Sequence, residues 1–167
     1  MTSLLARLGD EIEREGLDFL RRASERAWTV ATAESCTGGL LASVLTDVEG
    51  FGHVFSQGWV TYTEESKTRM LGVGASLIEA YSAVSEPVAR AMAEGARARS
   101  GADLAAAITG YAGRGAPDEP PGRVYVAVAV RGQPTACRRL ELGDQGRTRV
   151  RLGAIEAALR LMNERLG

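Results

Sequence analysis

The stretch WTVATAESCTGGLLASVLTD, residues 28–47, changes character at its centre. WTVATA is short, apolar and rich in β-branched residues, as a buried strand is, and it stops at Glu34-Ser35. CTGGLLASVLTD then takes on helical apolar spacing despite its paired glycines, Gly38 and Gly39. A buried strand that runs straight into a helix is the building unit of an α/β domain.

The same alternation continues outward in both directions. Upstream, Leu4, Leu5, Leu8, Ile12, Leu17 and Leu20 recur at helical spacing over residues 3–26, with Gly16 as a weak point. Downstream, FSQGWVTYT (55–63) predicts a second strand, EESKTRMLG (64–72) a short helix and SLIEAY (76–81) a further helical turn. SEPVARAMAEGARARSG (85–101) carries a capping Ser85, Pro87 in its first turn and Gly101 as a stop. ADLAAAITG (102–110) is apolar and turns sharply at its glycine, and GRVYVAVAV (122–130) is the strongest strand. RGQP then signals a turn from which TACRRLEL (135–142) returns as a hairpin, and residues 147–165 close with a basic, leucine-spaced helix. This order predicts a single three-layer α/β/α domain over residues 1–167, with a mixed, mainly parallel sheet.

Composition narrows the function classes. With 45% hydrophobic and 25% charged residues the chain reads as soluble and globular. A net charge of -1 argues against a dedicated nucleic-acid binder. No apolar run reaches the roughly 18–20 residues of a membrane span, and the acidic, amphipathic N-terminus does not read as a secretory signal. Cys36 and Cys137 are far apart, and His53 is the single histidine, so no metal-ligand spacing is present. The expectation is a cytoplasmic protein with no metal or cofactor, no nucleic acid and no membrane partner. LLASVL and LGAIEAALRLM would suit a homodimer, and core packing explains them equally.

One residue stands apart. Of 20 Lys+Arg, Lys67 alone is lysine. A guanidinium effectively never gives up its proton, whereas an ammonium can be driven neutral by desolvation. Three strand-to-helix junctions, ATAESCTGG, VTYTEESK and AITGYAGRG, offer hydroxyls and bare backbone where α/β sheets bind ligands. Loops of this kind, here with Thr37, Gly38, Gly39 and Gly110, can cradle a phosphate or an oxyanion. Ser35 follows the first strand directly, where either an N-cap or a nucleophile would stand. A desolvated Lys67 would serve as its base, and Tyr62 at the second strand's end could relay a proton or hold the substrate. The rival nucleophile is Cys36, paired with His53.

TVATAESCTGGLLASVLTDVEG (29–50), GWVTYTEESKTRMLGV (58–73), AVSEPVARAMAEGARARSGADLAAAITGYAG (83–113) and GRVYVAVA (122–129) together resemble the CinA C-terminal domain family. The resemblance runs from about residue 10 to the C-terminus. Members often carry a molybdopterin-binding-like domain ahead of this one, for which the chain has no room. Stand-alone members include nicotinamide mononucleotide (NMN) amidohydrolases. The resemblance therefore implies metal-independent hydrolysis of the NMN carboxamide to nicotinate mononucleotide and ammonia, with a small pyridine nucleotide as the partner. It implies Ser35 as nucleophile, Lys67 and Tyr62 as movers of its proton, and Thr109 and the residues around it, together with Cys36, at the substrate. Two departures stand out. The family's GIAGP reads GYAGR here, with Tyr111 and Arg114, and its GDR reads GDQ, with Gln145 in the arginine position. Gln145 and Arg149 are the expected phosphate contacts, with Arg147 as a further candidate. Two other readings stay open: an amidase for another small amide, and a nucleotide- or partner-binding module with weakened catalysis.

Overall fold

The computed structural model describes residues 7–114 and 117–167. Residues 1–6, which include the first four of the expected N-terminal helix, and Gly115 and Ala116 of the glycine-rich loop lie outside the described residues. In chain order the elements are α1 (Asp10–Glu25), β1 (Val30–Glu34), α2 (Leu40–Thr46), β2 (Phe55–Val60) and α3 (Glu64–Ser66), which widens into a π-helical turn, Lys67–Leu71. Then come α4 (Ala75–Tyr81), α5 (Glu86–Ser100), β3 (Leu104–Gly110), β4 (Arg123–Val130), β5 (Ala136–Glu141) and α6 (Arg147–Leu166).

The strands form one five-stranded sheet in the order β2-β1-β3-β4-β5. β1 pairs parallel with β2 and β3, while β4 pairs antiparallel with β3 and β5. So β2, β1, β3 and β5 run one way and β4 runs against them. Alternation along the strands sorts side chains by size. Val124, Val126, Val128 and Val130 of β4 join Leu104, Ala106 and Ile108 of β3 under α1, α2 and α6. Ala127 and Ala129 join Ala105, Ala107, Ala31 and Ala33 on the opposite face, under α5. Side chains of a strand alternate between faces, so one face is built of bulk and the other of alanines that admit α5 closely. The three-layer mixed α/β expectation is the architecture found.

Three local differences follow from backbone chemistry. The helix expected from Cys36 starts at Leu40, because Gly38 and Gly39 take left-handed φ values of 62° and 94° and residues 36–39 form a tight turn instead. The second strand ends at Val60, since Thr63 is already the N-cap of α3. Finally, β3 and β4 form a second antiparallel pair beyond the single expected hairpin. The intervening sequence carries Pro117, Pro120 and Pro121, which cannot supply the helical crossover that a parallel pairing requires. Among the described residues, no helix is long and apolar enough to cross a membrane.

Candidate active site

β1 delivers Glu34 and Ser35 to the C-terminal edge of the sheet. Glu34 is fully buried. Its carboxylate accepts from Thr37 Oγ1 at 2.6 Å and from the N–H groups of Gly39, Leu41 and Ala42 at 3.2, 3.0 and 2.9 Å. The first N–H groups of a helix have no partner within it. Gly39, the N-cap of α2, has no side chain to offer, so Glu34 reaches forward and satisfies them. From α6, Arg151 Nη2 donates to Thr37 O at 2.7 Å and pins the same turn. Ser35 is thereby fixed, its N–H on Ile108 O at 2.9 Å and its surface only 8% exposed. The sequence reading gave neither Glu34 nor Arg151 a role. The available signal was an acid closing an apolar strand just ahead of a helix, where negative charge is favoured.

The lone lysine comes from the second junction. Thr63 Oγ1 accepts from Ser66 N at 3.1 Å while Ser66 Oγ accepts from Thr63 N at 3.1 Å, a reciprocal cap that starts α3. The chain then widens into the π-helical turn that Lys67 opens. Lys67 is 1% exposed. Its Nζ donates to Thr61 O at 2.7 Å and lies 3.3 Å from Ser35 Oγ. Burial pushes its pKa below the usual 10.5, against the weaker opposing pull of Cys36 and Glu64. A neutral amine at this place keeps an N–H for Thr61 O and presents its lone pair to the serine hydroxyl.

A cavity of about 340 Å³ opens over this pair. Ser35, Cys36, Lys67 and Tyr62 line it from the first two junctions, Thr109, Gly110 and Tyr111 from the end of β3, and Arg147 from the start of α6. Thr109 is buried and donates from Oγ1 to Ala83 O at 2.9 Å, fixing Ala83, which also lines the cavity. Tyr62 is 61% exposed, and its hydroxyl accepts from Arg147 Nη2 at 3.1 Å rather than bonding Ser35 or Lys67. Arg114, at the rim, pairs through Nε with Asp144 at 2.6 Å.

Thr37, Gly38, Gly39, Gln145 and Arg149 do not line the cavity. Gln145 Nε2 donates instead to Leu142 O at 2.6 Å. Because α6 begins at Arg147, this arginine is the one of the three that reaches the opening. Burial pushes the Cys36 thiol up to about 11, which keeps it protonated near neutrality. His53 bonds Ser24 Oγ of α1 at 2.9 Å. The Cys36–His53 pair is therefore not formed.

Residues 16–166 match the CinA C-terminal domain family. The chain belongs to that family. It is 50% identical over 134 residues to a CinA-like protein of Akkermansia muciniphila, covering 79% of this chain and 32% of the relative. It is 45% identical over 163 residues to a CinA-like protein of Gemmatimonas aurantiaca, covering 93% and 38%. The chain thus spans roughly a third of the length of the curated relatives it matches. Among solved structures, the competence/damage inducible protein CihA from Agrobacterium tumefaciens superposes with a TM-score of 0.88 at 39% identity, over 92% of this chain and 94% of that one. The competence damage-inducible protein A (ComA) from Klebsiella pneumoniae gives 0.86 at 35% identity, over 92% and 95%. In this CinA domain, Ser35, Tyr62, Lys67 and Thr109 all face one cavity.

Proposed function

We propose that this CinA domain is an amidohydrolase that converts NMN to nicotinate mononucleotide and ammonia. The observation that supports the reading is the buried approach of Lys67 Nζ to Ser35 Oγ, 3.3 Å, in a cavity that Arg147 also lines. Neutral Lys67 takes the hydroxyl proton as Ser35 Oγ attacks the carboxamide carbon. The backbone N–H of Cys36, which donates to no carbonyl among the described residues, offers itself to the developing oxyanion. Collapse of the tetrahedral adduct breaks the C–N bond, and Lys67 returns the proton to the leaving ammonia. Water then attacks the acyl-serine, Lys67 accepting its proton and returning it to Ser35 Oγ as the acyl C–O bond breaks.

The phosphate falls to Arg147, whose guanidinium is tethered to the Tyr62 hydroxyl at 3.1 Å and is free to add charge-assisted bonds to an anion. Arg147→Ala is expected to raise KM for NMN about 10–100-fold, the worth of one or two charged hydrogen bonds, with kcat changed far less. Steady-state ammonia release measures both constants. Nicotinamide riboside, which lacks the phosphate, should show no such dependence on Arg147. An equal loss on both substrates would remove Arg147 from phosphate binding. Tyr111 and Arg114 in the lining favour one further reading, the same chemistry on another small anionic amide. Turnover of such an amide by a protein inactive on NMN would select it.

A further inference from the structure

Leu71 ends the π-helical turn that Lys67 opens, and its carbonyl meets α5 at very short range. A β-carbon built on Gly95, within α5, would lie 2.0 Å from Leu71 O and 3.0 Å from Leu71 C. No side chain can stand there, so α5 and the turn touch backbone to backbone. Arg99, one turn further along α5, donates from Nη1 to the same oxygen at 2.8 Å. Its guanidinium also lies against Gly72, 2.9 Å from the place of a β-carbon there. The last carbonyls of a helix lack partners inside it, and here α5 supplies one.

Neither Gly95 nor Arg99 lines the cavity. The turn they hold is only five residues long, however, and Lys67 is its first. Its other end is held by the Thr63–Ser66 cap. A short turn held at both ends transmits a shift at one end to the other, and single π-helical turns are rare and found frequently at functional sites. We propose that Gly95 and Arg99 are positioning residues for Lys67, clamping the Leu71 end of the turn on α5 so that the amine stays beside Ser35 Oγ and away from water. The proposal rests on the serine–lysine reading and deepens it.

Its signature lies in pH dependence. The titratable groups acting on the amine are Cys36, from the β1–α2 turn, and Glu64, from α3, both of which favour its charge. From α6, Arg147 and Arg151 act on Cys36. On the turn itself Arg69 pairs outward with Glu65 at 3.4 Å, and α5 contributes Arg99, occupied by Leu71 O. Loosening the clamp admits water, lets the ammonium regain its hydration, and moves the onset of base catalysis to higher pH. A purely structural role would lower stability and leave that onset where it was.

The test uses Arg99→Met, with Gly95→Ala as a second variant, and a probe independent of the natural substrate. Phenylmethanesulfonyl fluoride sulfonylates an activated serine: Ser35 Oγ bonds sulfur, fluoride leaves, and Lys67 takes the hydroxyl proton. The rate is followed by intact mass from pH 5 to 10, beside kcat and KM on NMN and circular dichroism. In Arg99→Met the sulfonylation rate at pH 7 is expected to fall about tenfold, with its ascending midpoint about one pH unit higher and most of the loss recovered at alkaline pH. KM for NMN should stay near wild type. An unshifted midpoint in folded Arg99→Met overturns the proposal. Wild-type Ser35 that is labelled without turning over NMN would sink the substrate assignment and leave the labelling profile to judge the clamp. Wild-type Ser35 that resists labelling at every pH would sink the serine–lysine reading and the clamp with it.

Discussion

Lys67→Arg is expected to lower kcat by about 10³-fold, within the range for loss of a general base, in a protein that still folds. Arginine keeps the positive charge and most of the length, so a lysine serving only as a counter-ion would survive the exchange. A guanidinium cannot accept a proton near neutrality, so a lysine serving as a base would not. Lys67→Met should be equally inactive, yet more stable. The folded-state pKa of Lys67 is lowered by burial, so at neutral pH the unfolded chain binds a proton more readily than the folded one, and stability rises with pH. The penalty is largest below the lowered value and vanishes above the ordinary 10.5. Each kcal/mol relieved by methionine should raise Tm by about 2–4 °C in a chain of this size. That gain should shrink as pH climbs toward 10.5. Differential scanning fluorimetry across pH, beside ammonia release, measures both effects. A Met variant that loses stability at neutral pH would contradict the account of a desolvated amine.

The second large effect concerns Glu34. Its carboxylate accepts four hydrogen bonds at the entrance of α2, one from the Thr37 hydroxyl and three from backbone N–H groups. Glu34→Gln substitutes an amide whose NH₂ faces donors with a donor. With hydrogen bonds to a charged group worth about 1.5–3 kcal/mol, the expected loss is at least about 3 kcal/mol, a fall in Tm of about 6–12 °C. Because Ser35 is the next residue, turnover should fall as well, by disorder of the nucleophile rather than loss of any reacting group. Thermal denaturation with a kinetic assay below the transition reads both. A Tm unchanged within a degree would mean that the turn is organised by Arg151 and the glycines alone.

Much of this architecture was legible because it is written in side-chain size and period. VYVAVAV announces a strand with one bulky and one small face, and the sheet uses those two faces for two different helix layers. Lys67 drew attention through its rarity, Ser35 through its place after a strand. Other features have no such signature. The partners of Glu34 are mostly backbone N–H groups, which every residue carries. Which of Gln145, Arg147 and Arg149 faces the cavity depends on where α6 begins, and the register of a glycine-rich turn is invisible in composition. The π-helical turn likewise shows no signature in side-chain period, and its end rests on tertiary contact, Leu71 O against Gly95 and Arg99.

The central claim is that Ser35, with Lys67 as its base, hydrolyses the carboxamide of a pyridine nucleotide. Its most direct test is ammonia released from NMN by the purified protein, set against Ser35→Ala of the same preparation. Ser35 is held by backbone bonds and is nearly buried, so alanine should preserve the fold and abolish turnover, with nicotinate mononucleotide appearing one-for-one with ammonia in the wild type alone. Equal release from both proteins, or none from a folded wild type, would contradict it.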